Sequence, residues 1–236
     1  MASRLEELPR RLVVGDVMSK PAITVSMDAT FKEIAQTLEA NGIGGMPVLD
    51  ADGRIAGVVS EGDLLPKEGD RDGAVAPWWQ PVARGEELRK AHARIARELM
   101  SSPAITVTPQ RRLAEAARLM ERHHVKRLAV VDEYGDLVGV VTRRDVLRAF
   151  CRPDADIRHD VVEGVISGWL GLDPTSMHVQ VSNGVVLLQG ELERRSDVDV
   201  LTHLVEGLDG VVGVESQLRY LRDDEHISPV IEAPRY

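Results

Sequence analysis

Hydrophobic positions in the first part of the chain change their spacing in a regular order. Residues 23–25 form a short β-prone run, and the apolar residues of 31–38 have the spacing of one helix face. Residues 46–49 and 55–59 are apolar runs on either side of a polar turn, which is typical of two strands. Ser60 then begins a second helix. The pattern predicts a β-α-β-β-α unit.

The same unit occurs twice. Met18 to Val25 reappears as Met100 to Val107, 82 positions later. Between residues 17–64 and 99–146, 17 of 48 aligned positions are identical and no gap is needed. A repeat at a fixed offset indicates that a folding unit has been duplicated, so the two copies are expected to share one backbone plan.

Three short motifs recur in the same order in both copies. They are M-S-x-P-x-x-T-V, an apolar strand that ends in Asp, and G-x-x-x-G-h-h-[S/T]-x-x-D, where h is hydrophobic. This order resembles the cystathionine-β-synthase-type (CBS) domain, which normally occurs as a pair. The resemblance predicts a first repeat over 12–66 and a second over 99–150. One departure is Ala129, where the family often has the proline that Pro47 supplies in the first repeat.

The segment between the repeats, residues 67–98, is predicted to be a linker that contains a helix. Pro66 to Gly73 is expected to be a charged loop, and Glu86 to Met100 has the apolar spacing of a helix. Trp78-Trp79 lies between them and is expected to be a packing plug or part of a dimer face, with a ligand lid as the alternative.

A different pattern follows Pro153. The four apolar residues Ile157, Val161, Val165 and Trp169 fall on one helical stripe. Two strands are predicted next, and Asn183-Gly184 between them is a strong signal for a type I′ hairpin turn.

A second helix and a last strand complete this region. Ser196 is expected to cap the helix, and Gly210 precedes the strand. The helix is predicted to carry Val200, Leu201, Leu204 and Leu208, and on the strand Val212, Val214, Leu218 and Tyr220 are expected to point the same way.

The resulting αββαβ order, with N-G-V-V-L-L-Q-G-E-L and G-V-V-G-V-E-S-Q-L, is similar to a BON domain over 156–222, followed by a tail over 223–236. That resemblance implies binding, in connection with phospholipid or envelope surfaces; an interaction or oligomerisation module is the alternative. The predicted fold class is therefore α+β, with two β-α-β-β-α repeats in one pseudo-symmetric module and a small αββαβ domain.

The sharpest candidate site is a serine or threonine placed three residues before an aspartate. Ser60-x-x-Asp63 and Thr142-x-x-Asp145 each lie where a strand meets a helix, so free backbone N–H groups favour an anion there. A carboxylate at this place can accept both hydroxyl hydrogens of a ribose. The alternative is a capping box, in which the side chains only satisfy the first N–H groups of the helix.

The CBS resemblance implies that each pocket pools residues from both repeats around an adenosyl ligand. The predicted ligand-binding residues are Ile23, Thr24, Met46, Pro47, Ser60, Asp63, Ile105, Thr106, Arg127, Leu128, Ala129, Thr142, Arg143 and Asp145. Asp63 is expected to work with residues 105–106 and 128–129, and Asp145 with residues 23–24 and 46–47. Core packing is the alternative role of the apolar members.

Charge distinguishes the two repeats. Residues 17–64 carry a formal charge of −4 and residues 99–146 carry +2. Lys126, Arg127, Arg143 and Arg144 lie beside the predicted pocket positions. Because the arginine fork suits phosphate, a phosphorylated ligand such as AMP, ADP, ATP or a dinucleotide is favoured over S-adenosylmethionine. AMP, ADP and ATP are preferred, and S-adenosylmethionine and NAD are the less favoured ligands. A solvated helix face is the alternative explanation of this charge.

Composition narrows the class of protein. The net charge of −9 disfavours a general nucleic-acid binder, and the single Cys151 with no apolar leader or long apolar span favours the cytoplasm. His123-His124 has no further ligands at metal spacing, so no metal and no required cofactor are expected.

The predicted function is regulatory and non-catalytic. An adenosyl ligand would bind between the repeats and be relayed to an unknown protein partner, and the CBS resemblance implies a homodimer. One alternative is a constitutive scaffold whose BON-like domain attaches a partner or a membrane surface. Another is an enzyme that hydrolyses nucleotides.

Overall fold

The computed structural model describes residues 11–71, 89–90 and 92–224, with the side chains of 68–71 left out. Two compact units divide them. One comprises residues 13–146, and the other comprises residues 11–12 together with 147–224. The predicted α+β fold class is confirmed by the mixed elements of both units.

Each repeat has the predicted β-α-β-β-α order, preceded by one short helix. The elements of the first repeat are α1 Val14–Val17, β1 Val25–Ser26, α2 Phe31–Asn41, β2 Gly45–Leu49, β3 Ile55–Ser60 and α3 Glu61–Arg71. Those of the second are α4 Ala96–Leu99, β4 Thr106–Val107, α5 Leu113–Arg122, β5 Arg127–Val131, β6 Leu137–Thr142 and α6 Arg143–Leu147. Each repeat forms a three-stranded sheet whose first pair is parallel and whose second pair is antiparallel.

Local chemistry sets both ends of α2. Thr30 and Glu33 form a reciprocal capping box, in which the Glu33 carboxylate accepts from the Thr30 backbone N–H at 2.7 Å. Hydrogen bonds from the backbone and side chain of Thr30 lower the pKa of Glu33 below its ordinary value. The helix ends at Gly42, whose φ of +59° is the left-handed conformation that favours glycine.

The segment before the first strand of each repeat pairs with the sheet of the other repeat. Ser101 and Val58 exchange two backbone hydrogen bonds of 2.9 and 3.0 Å, and Ser19 and Val140 exchange two of 2.9 and 3.1 Å. Gly57 makes this approach possible, since a Cβ atom there would lie 2.7 Å from the Ser101 carbonyl oxygen. Residues of both repeats are thereby brought together.

The linker prediction is wrong at two places. Pro66 to Gly73 is not simply a loop, because α3 continues through Pro66 to Arg71. The helix predicted over 86–100 is broken at 93–95, where the backbone turns to the first repeat: Arg94 O accepts from Phe31 N–H at 2.8 Å. Trp78-Trp79 lies outside the described residues.

The second unit contains the predicted αββαβ order. A helix over Asp154–His159 (α7) continues in π form through Asp160–Trp169, and is followed by β7 Met177–Ser182, β8 Val185–Arg194, α8 Arg195–Glu206 and β9 Gly213–Arg222. Short 3₁₀ turns lie at Arg148–Cys151 and Pro174–Ser176. The central strand β8 pairs antiparallel with β7 and parallel with β9, over a core that includes Ile166, Leu188 and Leu201.

The hairpin turn is confirmed, with positive φ at Asn183 and Gly184. No sequence pattern indicated which group holds this turn in place. The Asp154 carboxylate, at the start of α7, accepts from the N–H groups of Asn183 and Gly184 at 2.7 and 2.9 Å. These bonds tie the first helix of the unit to its hairpin.

Some details of this unit differ from the prediction. Ser196 does not cap α8, because the N-cap is Arg194 and the Ser196 side chain donates to Asp224 at 2.7 Å. Val212 precedes β9 and is 65% exposed, and Val200 and Tyr220 are also exposed. In the part of the chain that the structure describes, no helix has the length and apolarity required to cross a membrane.

Candidate functional site

A cavity of about 320 Å³ lies at the junction of β3 and α3 in the first repeat and is also lined by residues of the second. Its lining residues come from both repeats: Gly44, Val58, Ser60, Glu61, Gly62, Asp63, Ser101, Pro103, Ala104, Ile105, His124, Val125, Lys126 and Arg127. Residues 101–105 precede β4, and we call them the exchanged segment because Ser101 pairs with β3 of the other repeat. This segment supplies four of the lining residues, 101 and 103–105. We call this space the Asp63 cavity.

The Asp63 carboxylate is the most buried charged group in this cavity, with the residue only 7% exposed. One oxygen, Oδ2, accepts from both the backbone N–H and the hydroxyl of Ser60, each at 2.8 Å. The other oxygen, Oδ1, accepts from Lys90 Nζ at 2.5 Å. The capping interaction considered as an alternative is therefore present, and it leaves the carboxylate beside the cavity.

Lys90 belongs to the segment between the repeats, and sequence patterns gave no indication of its role. Its side chain is 12% exposed and that of Asp63 is 10% exposed, so the ion pair is largely removed from water. A carboxylate offers about four acceptor positions. Lys90 and Ser60 already use three of them, so a ribose diol that donates two hydrogen bonds must release one present donor. The Ser60 hydroxyl can leave most easily because it rotates.

The matching position of the second repeat has the same local geometry. Asp145 is 5% exposed, and its Oδ2 accepts from the backbone N–H and the hydroxyl of Thr142 at 2.9 and 2.7 Å. The duplicated motif thus builds the same strand-to-helix junction twice.

Arg127 gives the Asp63 cavity its main asymmetric feature. Its guanidinium lies over Gly44 and Gly45 of the first repeat, and a Cβ atom at Gly45 would overlap it. Burial lowers the pKa of Arg127, while the negative charges of Glu61 and Asp63 oppose that shift. The cavity therefore holds a half-buried cation beside two acids, together with Lys126 and His124.

Four of the predicted site residues line this cavity: Ser60, Asp63, Ile105 and Arg127. Thr106 is exposed and lines a separate groove together with Val107 and Thr108. Four others are buried in the protein interior, namely Met46, Pro47, Leu128 and Ala129. Ile23 and Thr24 are half-buried, and Arg143 is exposed at the start of α6. The assignment of all of them to a ligand stays a prediction.

His124 and Val125 are cavity residues that sequence reasoning did not place there. The sequence contains one weak signal of a turn at this place, since His124 is aligned with Gly42 of the first repeat. In the structure both residues adopt the left-handed conformation, His124 with φ of +53°. Among the described residues, no group of three or more histidine, cysteine or acidic side chains could hold a metal ion.

Comparisons with known proteins identify both regions of the chain. The family model described as CBS domain matches residues 14–68 and 96–152, and the model described as BON domain matches residues 153–222. An uncharacterized protein of Methanocaldococcus jannaschii is 31% identical over 58% of this chain and 90% of its own length. A CBS domain-containing protein of Dictyostelium discoideum is also 31% identical, again over 58% of this chain and 90% of its own.

One solved structure is similar in both sequence and fold. The crystal structure of CBSX2, a CBS-pair protein from Arabidopsis thaliana, in complex with AMP is 30% identical with a TM-score of 0.50. The similarity covers 58% of this chain and 95% of that one.

Proposed function

This chain belongs to the CBS-domain proteins, with a tandem CBS pair and a BON domain after it, and on that premise we propose that it is a non-catalytic sensor of a phosphorylated adenosine ligand. The ligand would occupy the Asp63 cavity. The observation that carries the proposal is the meeting, in one cavity, of the Ser60–Asp63 junction with Arg127 and Lys126 of the other repeat. The AMP complex of CBSX2 supports the ligand class.

Each part of such a ligand finds suitable chemistry. Asp63 and Ser60 would hold the ribose hydroxyls, and Ile105, Pro103 and Val58 offer apolar surface for the base. Arg127 and Lys126 would donate to a phosphate. The volume of about 320 Å³ is at the small end of the range for ligand pockets, which favours a mononucleotide over a dinucleotide such as NAD.

Regulation would follow from unequal binding to two arrangements of the protein. A ligand shifts such an equilibrium only by its difference in affinity for the two states. Because residues 101 and 103–105 of the second repeat and the β3–α3 junction of the first both line the cavity, a bound ligand would favour the arrangement in which the two repeats close around it. We propose that a protein partner reads this change.

Titration calorimetry with AMP, ADP, ATP, adenosine, S-adenosylmethionine and NAD tests the ligand class. We expect heat of binding with AMP or ADP, and about tenfold or more weaker binding of adenosine, because a phosphate bond to an arginine contributes about 1.5–3 kcal/mol. Arg127→Met should reduce that preference for phosphate, whereas Lys32→Met, on the exposed side of α2, should not. If no nucleotide gives heat or raises the melting temperature, the chain is a scaffold and the proposal is wrong.

We further propose a homodimer formed through the CBS pair. Leu65 on α3 and Leu147 on α6 occupy equivalent positions of the two repeats and are 68% and 61% exposed. Large apolar side chains at matching surface positions favour association. Light scattering should give twice the chain mass, and Leu65→Glu with Leu147→Glu should give the single mass, while Val212→Glu in the BON domain should leave the dimer intact. A monomeric wild-type protein would contradict this assembly.

A further inference from the structure

A second groove lies in the second CBS repeat, between strand β4 and helix α5. It has a volume of about 530 Å³ and is separate from the Asp63 cavity, with which it shares no lining residue. Its lining residues are Thr106, Val107, Thr108, Arg111, Glu115, Arg118, Leu119, Arg122 and Val131. We call it the arginine groove.

Positive charge dominates this groove. Three arginines face one acid, Glu115, and that acid is already used by Arg111, whose Nη1 lies 2.8 Å from the Glu115 Oε2 atom. Within the described ranges, the side chains of Arg118 and Arg122 make no hydrogen bond or ion pair. They are four residues apart on α5, so their like charges repel each other on one face of the helix. An anion in the groove would relieve that repulsion.

The first repeat shows that the fold does not need these arginines. The equivalent positions, 82 residues earlier, are Ala29, Gln36 and Ala40, although the neighbouring Thr24 and Glu33 match Thr106 and Glu115. Helix α2 is nevertheless as well formed as α5 and packs through the same face. The cations are therefore specific to the second repeat, and packing does not account for them.

The chemistry of the groove suits a phosphate-bearing small molecule. Guanidinium groups donate paired hydrogen bonds to phosphate oxygens, and the hydroxyls of Thr106 and Thr108 are additional donors. Val107, Leu119 and Val131 supply an apolar wall for an organic part. A volume of this size accommodates a typical small ligand.

We propose that the arginine groove is a second binding site, for an anionic ligand with two or more phosphate groups. It acts independently of the adenosine ligand of the Asp63 cavity, and it does not rest on the function proposed for that cavity. Thr106, which the sequence assigned to the adenosyl pocket, belongs to this second site.

Calorimetry with inorganic tripolyphosphate at low ionic strength tests the proposal. The wild-type chain should bind it saturably, and the double variant Arg118→Gln/Arg122→Gln should bind at least tenfold more weakly. Two control variants test whether the loss of affinity comes from the groove itself, from a general loss of positive charge, or from the Asp63 cavity. Lys32→Gln/Arg54→Gln removes the same charge from exposed positions of the first repeat, and Arg127→Met alters only the Asp63 cavity; both should leave the affinity within about twofold of the wild type.

Three results would overturn the second site. The first is that the wild-type chain shows no saturable binding of tripolyphosphate. The second is that the Lys32/Arg54 control loses as much affinity as the Arg118/Arg122 variant. The third is that Arg127→Met loses affinity and the Arg118/Arg122 variant does not. The last result would assign tripolyphosphate to the Asp63 cavity, and would leave the function proposed for that cavity intact.

Discussion

Asp63→Ala should reduce the affinity for adenine nucleotides about 100-fold or more. Two ribose hydroxyls that donate to an ionised carboxylate contribute about 1.5–3 kcal/mol each, and every 1.4 kcal/mol is about a factor of ten in affinity. Calorimetry with the nucleotide that binds the wild type measures the loss. The effect should be larger than that of any change to the apolar residues of the cavity.

The same substitution also removes the ion pair between Asp63 and Lys90, whose side chain is only 12% exposed. Loss of one member of a buried pair costs about 3–5 kcal/mol, so Asp63→Ala alone would lower stability as well. The double variant Asp63→Ala/Lys90→Met removes both charges and should regain most of the melting temperature. If this stable double variant still binds nucleotide like the wild type, Asp63 does not hold the ligand.

Gly57→Val should destabilise the CBS pair by roughly 3 kcal/mol or more, because overpacking costs about 1–3 kcal/mol and backbone hydrogen bonds are displaced besides. A Cβ atom at Gly57 would lie 2.7 Å from both the Ser101 carbonyl oxygen and the Met100 sulfur. The valine would therefore push the exchanged segment away from β3. Since residues 101 and 103–105 line the Asp63 cavity, nucleotide affinity should fall together with stability.

Gly62→Ala is the matched control for this variant. A Cβ atom at Gly62 meets nothing nearer than the Ser60 hydroxyl at 3.7 Å, and alanine favours a helix by up to about 1 kcal/mol over glycine. Chemical denaturation should show an unchanged or slightly raised stability for Gly62→Ala. A Gly57→Val protein as stable as the wild type would mean that the Val58–Ser101 pairing does not hold the repeats together.

The fold could be predicted because many of its determinants are local and because one unit is repeated. The turn at Asn183-Gly184 acts on its immediate neighbours, and its positive φ angles match the expectation. The 82-residue offset then extends the assignment of one repeat to the other. Where the prediction was wrong, the observed conformation depends on contacts with residues that are distant in the sequence. The backbone of 94–96 turns to bond with residues 29–31, and Asp224 takes the Ser196 side chain away from the cap.

The candidate site was predictable in part for the same reason. The spacing of Ser60 and Asp63 identifies them, because two residues three positions apart at the start of a helix have side chains that can contact each other. Lys90 was not predictable, since it is separated from Asp63 by 27 positions and no local pattern joins them. Thr106 lines the arginine groove and not the Asp63 cavity, and its contact with an adenosyl ligand stays a prediction.

The guanidinium of Arg127 over Gly45 has a consequence for the duplication itself, because these two positions are counterparts in the two repeats. Arginine at both would place two cations in the same space, and glycine at both would leave a void where one side chain now packs. Two identical repeats could therefore not pack at this place as the present two do. The difference between positions 45 and 127 is part of how the two repeats fit together.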